Sequence, residues 1–287
     1  MCASLRLTRS KILPMFGNKK FMKPKKSLGQ NFLISPRVSN MIARAGDIVV
    51  SENVVEIGPG KGALTKELLA FGAQVIAIEK DNELISALEE KFAKEISEKQ
   101  LEIISGDVLE MDFEKLEIGN WKLIANIPYY ITGAIIEKFL SSKNPPSLAV
   151  LMLQKEVAER IIARNLPRRQ AGKKESILSI SVKVFGAPTI VMKVSRGNFF
   201  PIPNVDSAVL KISNIKNPFK TKEEEEKFFT LVKKGFAHKR KKLIGNLESE
   251  DKEKIRRAFS EIGISENARA EDLFLENWKI LAKKLEN

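Results

Sequence analysis

Short apolar runs alternate with helical periodicities through the first two-thirds of the chain. Apolar residues recur at helical spacing between the runs, as at Leu84, Ile85 and Leu88, which predicts amphipathic helices. The alternation predicts a parallel sheet with helices on both faces. The predicted strands are 53–57, 74–79, 101–104, 122–125 and 148–153, and the predicted helices are 64–70, 82–96, 131–140 and one ending near Arg164.

The pattern changes in the last third of the chain. A helix is predicted over 176–185, followed by strands over 189–194 and 207–212. The connection between these strands is too short for a helix, so they are expected to pair antiparallel. The segment 213–222 (SNIKNPFKTK) changes composition, and helices are predicted beyond it over 223–236, 252–262 and 270–285. We therefore predict an N-terminal extension (1–25), an α/β domain (26–214) and a small all-helical domain (215–287).

Charge indicates a polyanionic partner. The chain carries 49 Lys+Arg against 36 Asp+Glu, a net charge of +13, which favours nucleic acid over an ordinary basic surface. Cys2 is the single cysteine and His238 the single histidine. These counts argue against disulfides, His-based triads and Cys- or His-based metal sites, so no metal is predicted. There is also no apolar run long enough to predict a membrane span.

The N-terminus is basic and has no acidic residue from Met1 to Gly46. An acid-poor start of this kind is one feature of an organelle transit peptide. A disordered RNA-binding tail, or translation that starts at Met22, is favoured over a transit peptide. Low cysteine use fits a reducing cytoplasm, so we expect a cytoplasmic protein and keep an organelle as the alternative.

A glycine-rich loop follows the first predicted strand of the α/β domain. Gly58, Gly60 and Gly62 alternate with other residues in Glu56-Ile57-Gly58-Pro59-Gly60-Lys61-Gly62. Glycines here permit a tight turn and a close approach of the backbone to a ligand. The spacing differs from the Gly-x-Gly-x-x-Gly of dinucleotide sites and lacks the Lys-Ser/Thr ending of a P-loop. A plain glycine-rich turn remains an alternative for this feature alone.

Two acids end the next two predicted strands. Glu79 lies 21 residues after Gly58, and Asp107 follows the strand over 101–104. An acid in the first position can accept hydrogen bonds from ribose hydroxyls, and one in the second can accept from an adenine amine. Either acid alone is equally well explained as a cap. Together they predict an adenosine-containing ligand without a bound phosphate, with Gly60, Lys80 and Val108 beside it.

The fourth of these strands ends in Asn126-Ile127-Pro128-Tyr129-Tyr130. Asn-x-Pro-Tyr resembles the catalytic motif of methyltransferases that act on the adenine amine. The Asn126 side-chain oxygen and the Ile127 carbonyl can hold the two hydrogens of that amine, and Pro128 fixes the chain direction. Tyr129 offers a ring on which a flipped-out base can stack. A Pro-Tyr turn without function is the alternative.

With these residues together, the chain from about Lys26 to Leu285 resembles the ribosomal RNA small-subunit adenine N6,N6-dimethyltransferases. Ser27-Leu28-Gly29-Gln30-Asn31-Phe32-Leu33 resembles the family motif that helps cover the cofactor, S-adenosyl-L-methionine (SAM). The resemblance implies SAM contacts at Asn31 and Leu33, with Gln30 nearby, and a Rossmann-like methyltransferase sheet. The implied cofactor-binding residues are Gln30, Asn31, Leu33, Gly58, Gly60, Glu79, Lys80, Asp107, Val108 and Asn126.

A second motif lies before the last predicted strand. Phe199-Phe200-Pro201-Ile202-Pro203-Asn204-Val205-Asp206-Ser207 resembles the family pattern Phe-x-Pro-x-Pro-x-Val-x-Ser. The resemblance implies that Phe199 forms the second wall of the base pocket, opposite Tyr129. One of the two phenylalanines is expected to be plain core. The implied catalytic residues are Asn126, Pro128, Tyr129 and Phe199. Arg269-Ala270-Glu271-Asp272-Leu273 resembles a structural element of the family's helical domain.

Two basic segments are candidates for RNA contact. Arg168 and Arg169 lie in a loop predicted over 165–175, and Lys239, Arg240, Lys241 and Lys242 match the family's C-terminal basic stretch. Four adjacent cations on a helix would point around it, so a solvated helix face is the alternative to phosphate contact. His238, beside them, is expected to lie on the RNA surface or in packing, without a catalytic role.

The resemblance implies SAM-dependent dimethylation of two adjacent adenines in a hairpin near the 3′ end of small-subunit rRNA, as a step in ribosome biogenesis. The expected partners are that rRNA and the pre-ribosomal small subunit, bound by a monomer. Three alternatives stay open: a DNA adenine methyltransferase, an assembly or transcription factor without turnover, and an NAD-dependent dehydrogenase. Intact Asn126, Tyr129 and Glu79 argue against loss of turnover.

Overall fold

The structure is a computed structural model that describes residues 24–25, 28–113, 118–163, 174–247 and 252–286. Most of the predicted N-terminal extension and the segment 164–173, with Arg168 and Arg169, lie outside these residues. The strands are β1 (Phe32–Leu33), β2 (Asn53–Ile57), β3 (Gln74–Glu79), β4 (Leu101–Ser105), β5 (Trp121–Asn126), β6 (Leu148–Gln154), β7 (Ala187–Val194), β8 (Phe199–Phe200) and β9 (Ser207–Ser213).

Helices fill most of the remaining described chain. They are α1 (Pro36–Ala45), α2 (Ala63–Ala70), α3 (Asn82–Lys91), α4 (Ala93–Ser97), α5 (Thr132–Leu140), α6 (Lys155–Ile161), α7 (Ile177–Phe185), α8 (Lys222–Gly235), α9 (Leu243–Asn246), α10 (Lys252–Glu261) and α11 (Leu275–Glu286). Short 3-10 turns cover Tyr129–Ile131, Arg196–Asn198 and Ala270–Asp272. No helix among the described residues is long and apolar enough to span a membrane.

Seven strands form one sheet in the order β4-β3-β2-β5-β6-β9-β7. Neighbours from β4 to β6 are parallel, which confirms the parallel sheet predicted from the strand–helix alternation. β9 pairs antiparallel with β7, as expected, and also with β6. The Rossmann-like fold that the family resemblance implies is confirmed. The strand order reverses between β2 and β5, and ligands bind open α/β sheets at such a point, beyond the carboxyl ends of the strands.

Buried apolar side chains cover both faces of the sheet. One cluster includes residues of α1, α2 and α3, such as Ile42, Leu68 and Leu88. The other includes α5, α6 and α7 and continues into α8, α10 and α11. Parallel strands buried on both faces need continuous apolar runs, and β6 (LAVLMLQ) has buried side chains from Leu148 to Leu153.

Two predicted helices are broken in the structure. The helix predicted over 82–96 is two helices, α3 and α4, because Phe92 leaves the helical conformation (φ −115°, ψ 28°) as its ring packs into the core. The helix predicted over 270–285 begins at Leu275. A 3-10 turn precedes it, in which the Asp272 carboxylate accepts a hydrogen bond from the Arg269 backbone N–H at 2.9 Å.

Aromatic packing attaches the C-terminal helices to the sheet. The rings of Phe185 in α7 and Phe229 in α8 stack at 5.9 Å between centroids, and Phe219 packs edge-on against both. Trp278 of α11 is fully buried against Gly235, where an added Cβ would lie 2.3 Å from the indole. The helical region is therefore continuous with the hydrophobic core on one face of the sheet.

Candidate active site

A cavity of about 240 Å³ opens at the carboxyl edge of the sheet, at the reversal of strand order. It brings together the ends of β2, β3 and β5, the turn after β4, and the segment 28–33 that precedes α1. The predicted residues that line it are Gln30, Asn31, Leu33, Gly58, Gly60, Glu79, Lys80, Asp107, Val108, Asn126, Pro128 and Tyr129.

Three glycines of the loop after β2 have left-handed backbones, with φ of +64° at Gly58, +59° at Gly60 and +71° at Gly62. Residues other than glycine rarely adopt this backbone conformation. An added Cβ would lie 2.5 Å from the Phe92 ring at Gly62 and 3.0 Å from the Phe32 ring at Gly60. At Gly58 it would meet no atom within 4 Å, so the backbone there borders open space that a ligand can fill.

Glu79, at the end of β3, holds the glycine loop and the next turn together. Its carboxylate accepts from the N–H groups of Gly60 at 3.2 Å, Lys80 at 2.9 Å and Asp81 at 3.0 Å. Burial raises the pKa of Glu79 above its ordinary value, and these backbone hydrogen bonds oppose the rise. The carboxylate lies in the cavity wall, where its remaining lone pairs can accept from ribose hydroxyls.

Asp107 lies beside β4, paired with Lys80 across the cavity edge. Its carboxylate accepts from the Lys80 ammonium at 2.7 Å and from the Leu109 N–H at 2.9 Å. The hydrogen bond from Lys80, followed by that from Leu109, lowers the pKa of Asp107. Asp107 is therefore ionised at neutral pH and can accept from an amine, while Lys80 is half exposed and able to move aside.

The segment 28–33 is tied to the sheet by Asp81. The Asp81 carboxylate accepts from Lys25 at 2.7 Å and from the Gln30 amide at 3.0 Å. Burial favours a higher pKa for Asp81, but these hydrogen bonds outweigh it and the pKa is lowered. The Gln30 amide oxygen also accepts from the Lys25 N–H at 2.8 Å. The amide oxygen and the amide nitrogen of Gln30 therefore both hold the segment in place.

Asn126, at the end of β5, contacts the same segment. Its amide nitrogen donates to the carbonyl of Asn31 at 3.3 Å. Since an amide has its donor and its acceptor on opposite sides, this bond leaves the side-chain oxygen as the free acceptor. No described residue donates to that oxygen. The arrangement matches what is needed to hold a hydrogen of an adenine amine.

Tyr129 follows in the 3-10 turn and has a fixed ring. Its hydroxyl is hydrogen-bonded to the hydroxyl of Ser207, a fully buried residue of β9, at 2.7 Å. Burial raises the pKa of Tyr129 above its ordinary value, so the phenol stays neutral. The carbonyl of Tyr129 accepts from Thr132 at 3.1 Å, which secures the start of α5.

The two phenylalanines of β8 have different environments. Phe199 is 1% exposed and belongs to the apolar cluster with Leu33 and Val209, whereas Phe200 is 53% exposed. Neither phenylalanine is among the residues that line the cavity, and the two side chains point to opposite faces of the strand. The expectation that Phe199 forms the second wall of the base pocket therefore lacks support from this geometry, and Phe199 is the phenylalanine that lies in the core.

The basic cluster lies off the helices. α8 ends at Gly235, and residues 236–242 form turns before α9. The expected placement of four adjacent cations on a helix is wrong. Asn246 of α9 donates to the carbonyls of Gly235 at 2.5 Å and His238 at 3.2 Å and so fixes this turn. The side chains of Lys239, Arg240, Lys241 and Lys242 are all exposed and have no ion-pair partner among the described residues.

Residues 21–287 match the sequence pattern of the ribosomal RNA adenine dimethylase family. The chain belongs to this family. It is accordingly a methyltransferase that uses SAM and acts on adenine in rRNA.

Curated relatives in this family align over nearly their whole length. The chain is 39% identical over 276 residues to ribosomal RNA small subunit methyltransferase A of Moorella thermoacetica, covering 92% of this chain and 93% of that protein. It is 38% identical over 268 residues to the protein of the same name in Fusobacterium nucleatum, covering 92% and 98%.

Solved structures of two RNA-modifying transferases share the fold. A dimethyladenosine transferase from Plasmodium falciparum superposes with a TM-score of 0.71 at 29% identity, over 87% of this chain and 95% of that one. The 23S rRNA methyltransferase ErmE superposes with a TM-score of 0.70 at 25% identity, over 90% and 100%.

The residues of this dimethylase cavity fit SAM. The backbone at Gly58 leaves room for a ligand, Glu79 and Asp107 offer acceptors on two sides, and the aliphatic side chain of Val108 supplies an apolar wall. No group of three or more His, Cys, Asp or Glu residues in the described parts of the chain is arranged to hold a metal ion.

Sequence reasoning missed three contributors to the site. Asp81 anchors the segment 28–33, Ser207 holds the Tyr129 hydroxyl, and Glu56 accepts from Thr65 at 2.6 Å behind the glycine loop. Glu56 lies at the start of the glycine-rich motif and Ser207 at the end of the Phe-x-Pro-x-Pro-x-Val-x-Ser motif. A polar residue within an otherwise apolar stretch could have indicated a structural role for each. Asp81 had no such signal, because its partners lie about fifty residues earlier in the chain.

Proposed function

We propose that this protein dimethylates two adjacent adenines in a hairpin near the 3′ end of small-subunit rRNA during ribosome biogenesis. The observation that carries the proposal is the Asn126 amide, which Asn31 holds with its oxygen free at the edge that carries Glu79 and Asp107. The small subunit is favoured because that is the substrate named for the curated relatives at 38–39% identity.

Bound SAM supplies an electrophilic methyl group. The chain contributes acceptors that make the adenine amine a better nucleophile, since its lone pair is otherwise delocalised into the ring. The Asn126 side-chain oxygen holds one amine hydrogen, and the Ile127 carbonyl holds the other. Positioning and these hydrogen bonds lower the barrier.

The remaining site residues hold cofactor and base in place. Glu79 accepts from the ribose hydroxyls and Asp107 from the cofactor's adenine amine, with Lys80 displaced from its ion pair. Gln30 and Asn31 keep the segment 28–33 over the cavity. Tyr129 provides a neutral, fixed ring beside the target base. With SAM bound, the nitrogen would form its bond to the methyl carbon as the sulfur–carbon bond breaks, and the methylated amine would release its proton to water without a strong base.

The proposed RNA contacts lie outside the cavity. We assign residues 26–214 to methyl transfer and residues 215–287 to rRNA binding, with Lys239, Arg240, Lys241 and Lys242 on phosphates. Arg168 and Arg169 are proposed to assist, although they lie outside the described residues. The protein is proposed to act in the cytoplasm as a monomer on the pre-ribosomal small subunit.

The deciding experiment is transfer of tritiated methyl groups from SAM to ribosomal subunits that lack adenine dimethylation. The labelled RNA is separated by subunit and digested to nucleosides. The expected product is N6,N6-dimethyladenosine in small-subunit rRNA. Label in large-subunit rRNA would contradict the proposal in favour of the activity named for ErmE. Absence of label, with SAM and small subunits both bound, would favour an assembly factor.

A further inference from the structure

Two exposed aromatic rings border the segment 28–33, and the proposed mechanism uses neither. Tyr130 is 66% exposed and Phe200 is 53% exposed. Single exposed apolar side chains are common and need no explanation. These two rings differ because they lie at opposite ends of the segment 28–33, and the middle of that segment contacts Asn126.

Tyr130 rests on the start of the segment. A Cβ added to Gly29, which has φ of +60°, would lie 3.0 Å from Cε1 and 3.1 Å from Cδ1 of the Tyr130 ring. That side of the ring therefore lies against the Gly29 backbone, and the remainder is open to solvent. Tyr130 also lines the mouth of the cavity.

Phe200 lies across from the end of the segment. β1 and β8 pair antiparallel, with Phe32 opposite Phe200 and Leu33 opposite Phe199. Side chains of directly opposed residues lie on the same face of a ladder. Phe32 lines the cavity and contacts Gly60, so Phe200 lies on the cavity face of the ladder, while Leu33 and Phe199 face the core.

The catalytic contact lies between these two anchor points. The Asn31 carbonyl, which accepts from Asn126, stands two residues after Gly29 and one before Phe32. Along the segment, this contact therefore lies between Gly29, which Tyr130 covers, and Phe32, which is paired with Phe200. A base that reached Asn126 would enter between these two points, with its neighbours along the RNA strand directed towards the two rings.

Positive charge accompanies the rings. Arg37 lies in the first turn of α1, Arg196 lies in the 3-10 turn before β8, and Lys61 is placed 4.9 Å from the centroid of the Phe32 ring. All three residues are exposed, and their side chains form no ion pair with a carboxylate within the described part of the chain. Exposed aromatic rings interspersed with cations are the features by which proteins hold unpaired nucleotides: bases stack on the rings and phosphates pair with the cations.

We propose that Tyr130 and Phe200 stack on the unpaired nucleobases that flank the target adenine. The inference rests on the proposed function, since it requires an RNA base to enter at Asn126. It assigns the two rings to RNA binding and not to the chemical step. Phe200 thereby has a different role from the buried Phe199 beside it.

The test compares ring-removing with ring-retaining variants of the full-length protein: Tyr130→Ala and Phe200→Ala against Tyr130→Phe and Phe200→Tyr. Val49→Ala is the matched control, because Val49 is 67% exposed and lies before β2, at the end of the sheet opposite the cavity. The first measurement is KM for undermethylated small subunits and, separately, KM for SAM. Each ring removal is expected to raise the KM for subunits about 5-fold or more and to leave the KM for SAM unchanged.

The second measurement needs no methyl transfer. A short oligoadenylate that contains 2-aminopurine is titrated with each protein in the absence of SAM, and its fluorescence reports stacking. Wild type and the ring-retaining variants are expected to quench it, and the alanine variants to quench it less. Unchanged KM for subunits together with unchanged quenching would overturn the stacking proposal, as would a rise in the KM for SAM alone. If wild type quenches the probe but methylates neither subunit, the proposed function fails while stacking stands.

Discussion

The loop after β5 and the basic turn after α8, which we propose to bind different parts of the substrate, are built in opposite ways. In the loop, Asn126 is hydrogen-bonded to Asn31 and Tyr129 to Ser207, with both side chains partly buried. In the turn, the side chains of residues 239–242 are exposed and have no ion-pair partner in the described structure. Only the backbone of the turn is fixed, by Asn246.

The difference follows from what each region must do. Holding an amine for in-line attack requires acceptors placed within a fraction of an ångström, so each polar group is held by a partner. Attraction to a phosphate backbone requires charge near the strand and tolerates mobile side chains. Substitution of the fixed residues Asn126 and Tyr129 should therefore affect rate, and substitutions in the turn should affect affinity and its dependence on salt.

The largest expected effect is that of Asn126→Ala. Removing the oxygen that accepts from the amine should reduce kcat for methylation of small subunits by about 100-fold or more, the loss typical of one well-placed polar group in an active site. RNA affinity should stay unchanged, because no phosphate contact is removed. Single-turnover methylation and filter binding measure the two quantities.

Asn40→Ala is the control for Asn126→Ala. Asn40 lies in α1, donates to Glu67 at 2.7 Å and is outside the cavity lining. It should leave both rate and affinity unchanged. A near wild-type rate for Asn126→Ala would refute the catalytic assignment, and a matching loss of RNA affinity would remove the distinction between the two regions.

A smaller effect is expected when Lys239, Arg240, Lys241 and Lys242 are all replaced by Gln. Affinity for rRNA should fall, and the slope of log affinity against log salt should become shallower by about 0.7 to 0.9 for each phosphate that the variant no longer neutralises. The single-turnover rate at saturating RNA should stay unchanged. Binding titrations over a range of salt concentrations provide the measurement.

The matched control removes the same charge elsewhere, with Gln in place of Lys66, Lys94, Lys99 and Lys216, which are also exposed. If both quadruple variants change the salt slope equally, net charge and not the turn determines binding. A slope that stays at the wild-type value in the turn variant would place the RNA contacts on other residues.

The sequence predicted the buried framework of the site well. Five strand positions followed from apolar runs, and the polar residues at their ends marked the edge where Glu79, Asp107 and Asn126 meet. These inferences succeed because the carboxyl ends of parallel strands share one edge of the sheet. Strand ends and their spacing are local features that a single sequence displays.

Other features depend on contacts that no local pattern shows. β1 and β8 are two residues each, too short for a periodicity, so the register that buries Phe199 and exposes Phe200 could not be predicted. Phe92 interrupts a helical pattern because its ring fills the space beside Gly62. The end of α8 at Gly235, which places the four cations in a turn, depends on the packing of Trp278 from the last helix.

The last prediction concerns stability and not activity, and it rests on Glu56, a buried polar residue beside the site. Glu56 is fully buried behind the glycine loop, and burial raises its pKa from 4.5 to about 8, opposed by the hydrogen bond from Thr65. The nearby charges of Glu79 and Lys91 have smaller, opposite influences. The folded protein therefore holds a proton on Glu56 that the unfolded chain releases at lower pH.

The sign of the effect follows from linkage. A folded-state pKa above the unfolded value gives stability that is complete below about pH 4.5 and is lost as pH rises towards about 8, at no more than about 1.4 kcal/mol per pH unit. Glu56→Gln keeps an acceptor for Thr65 and has no proton to lose. Its unfolding temperature should match wild type at low pH and exceed it increasingly up to about pH 8.

Thermal unfolding followed by circular dichroism across this range is the measurement, with the exposed Glu90→Gln as the control for the substitution itself. A constant difference between Glu56→Gln and wild type at every pH would show that folding leaves the pKa of Glu56 unchanged. Burial at the site would then fix the positions of its polar groups without changing their protonation, so protonation would not be a difference between the site and the exposed basic turn.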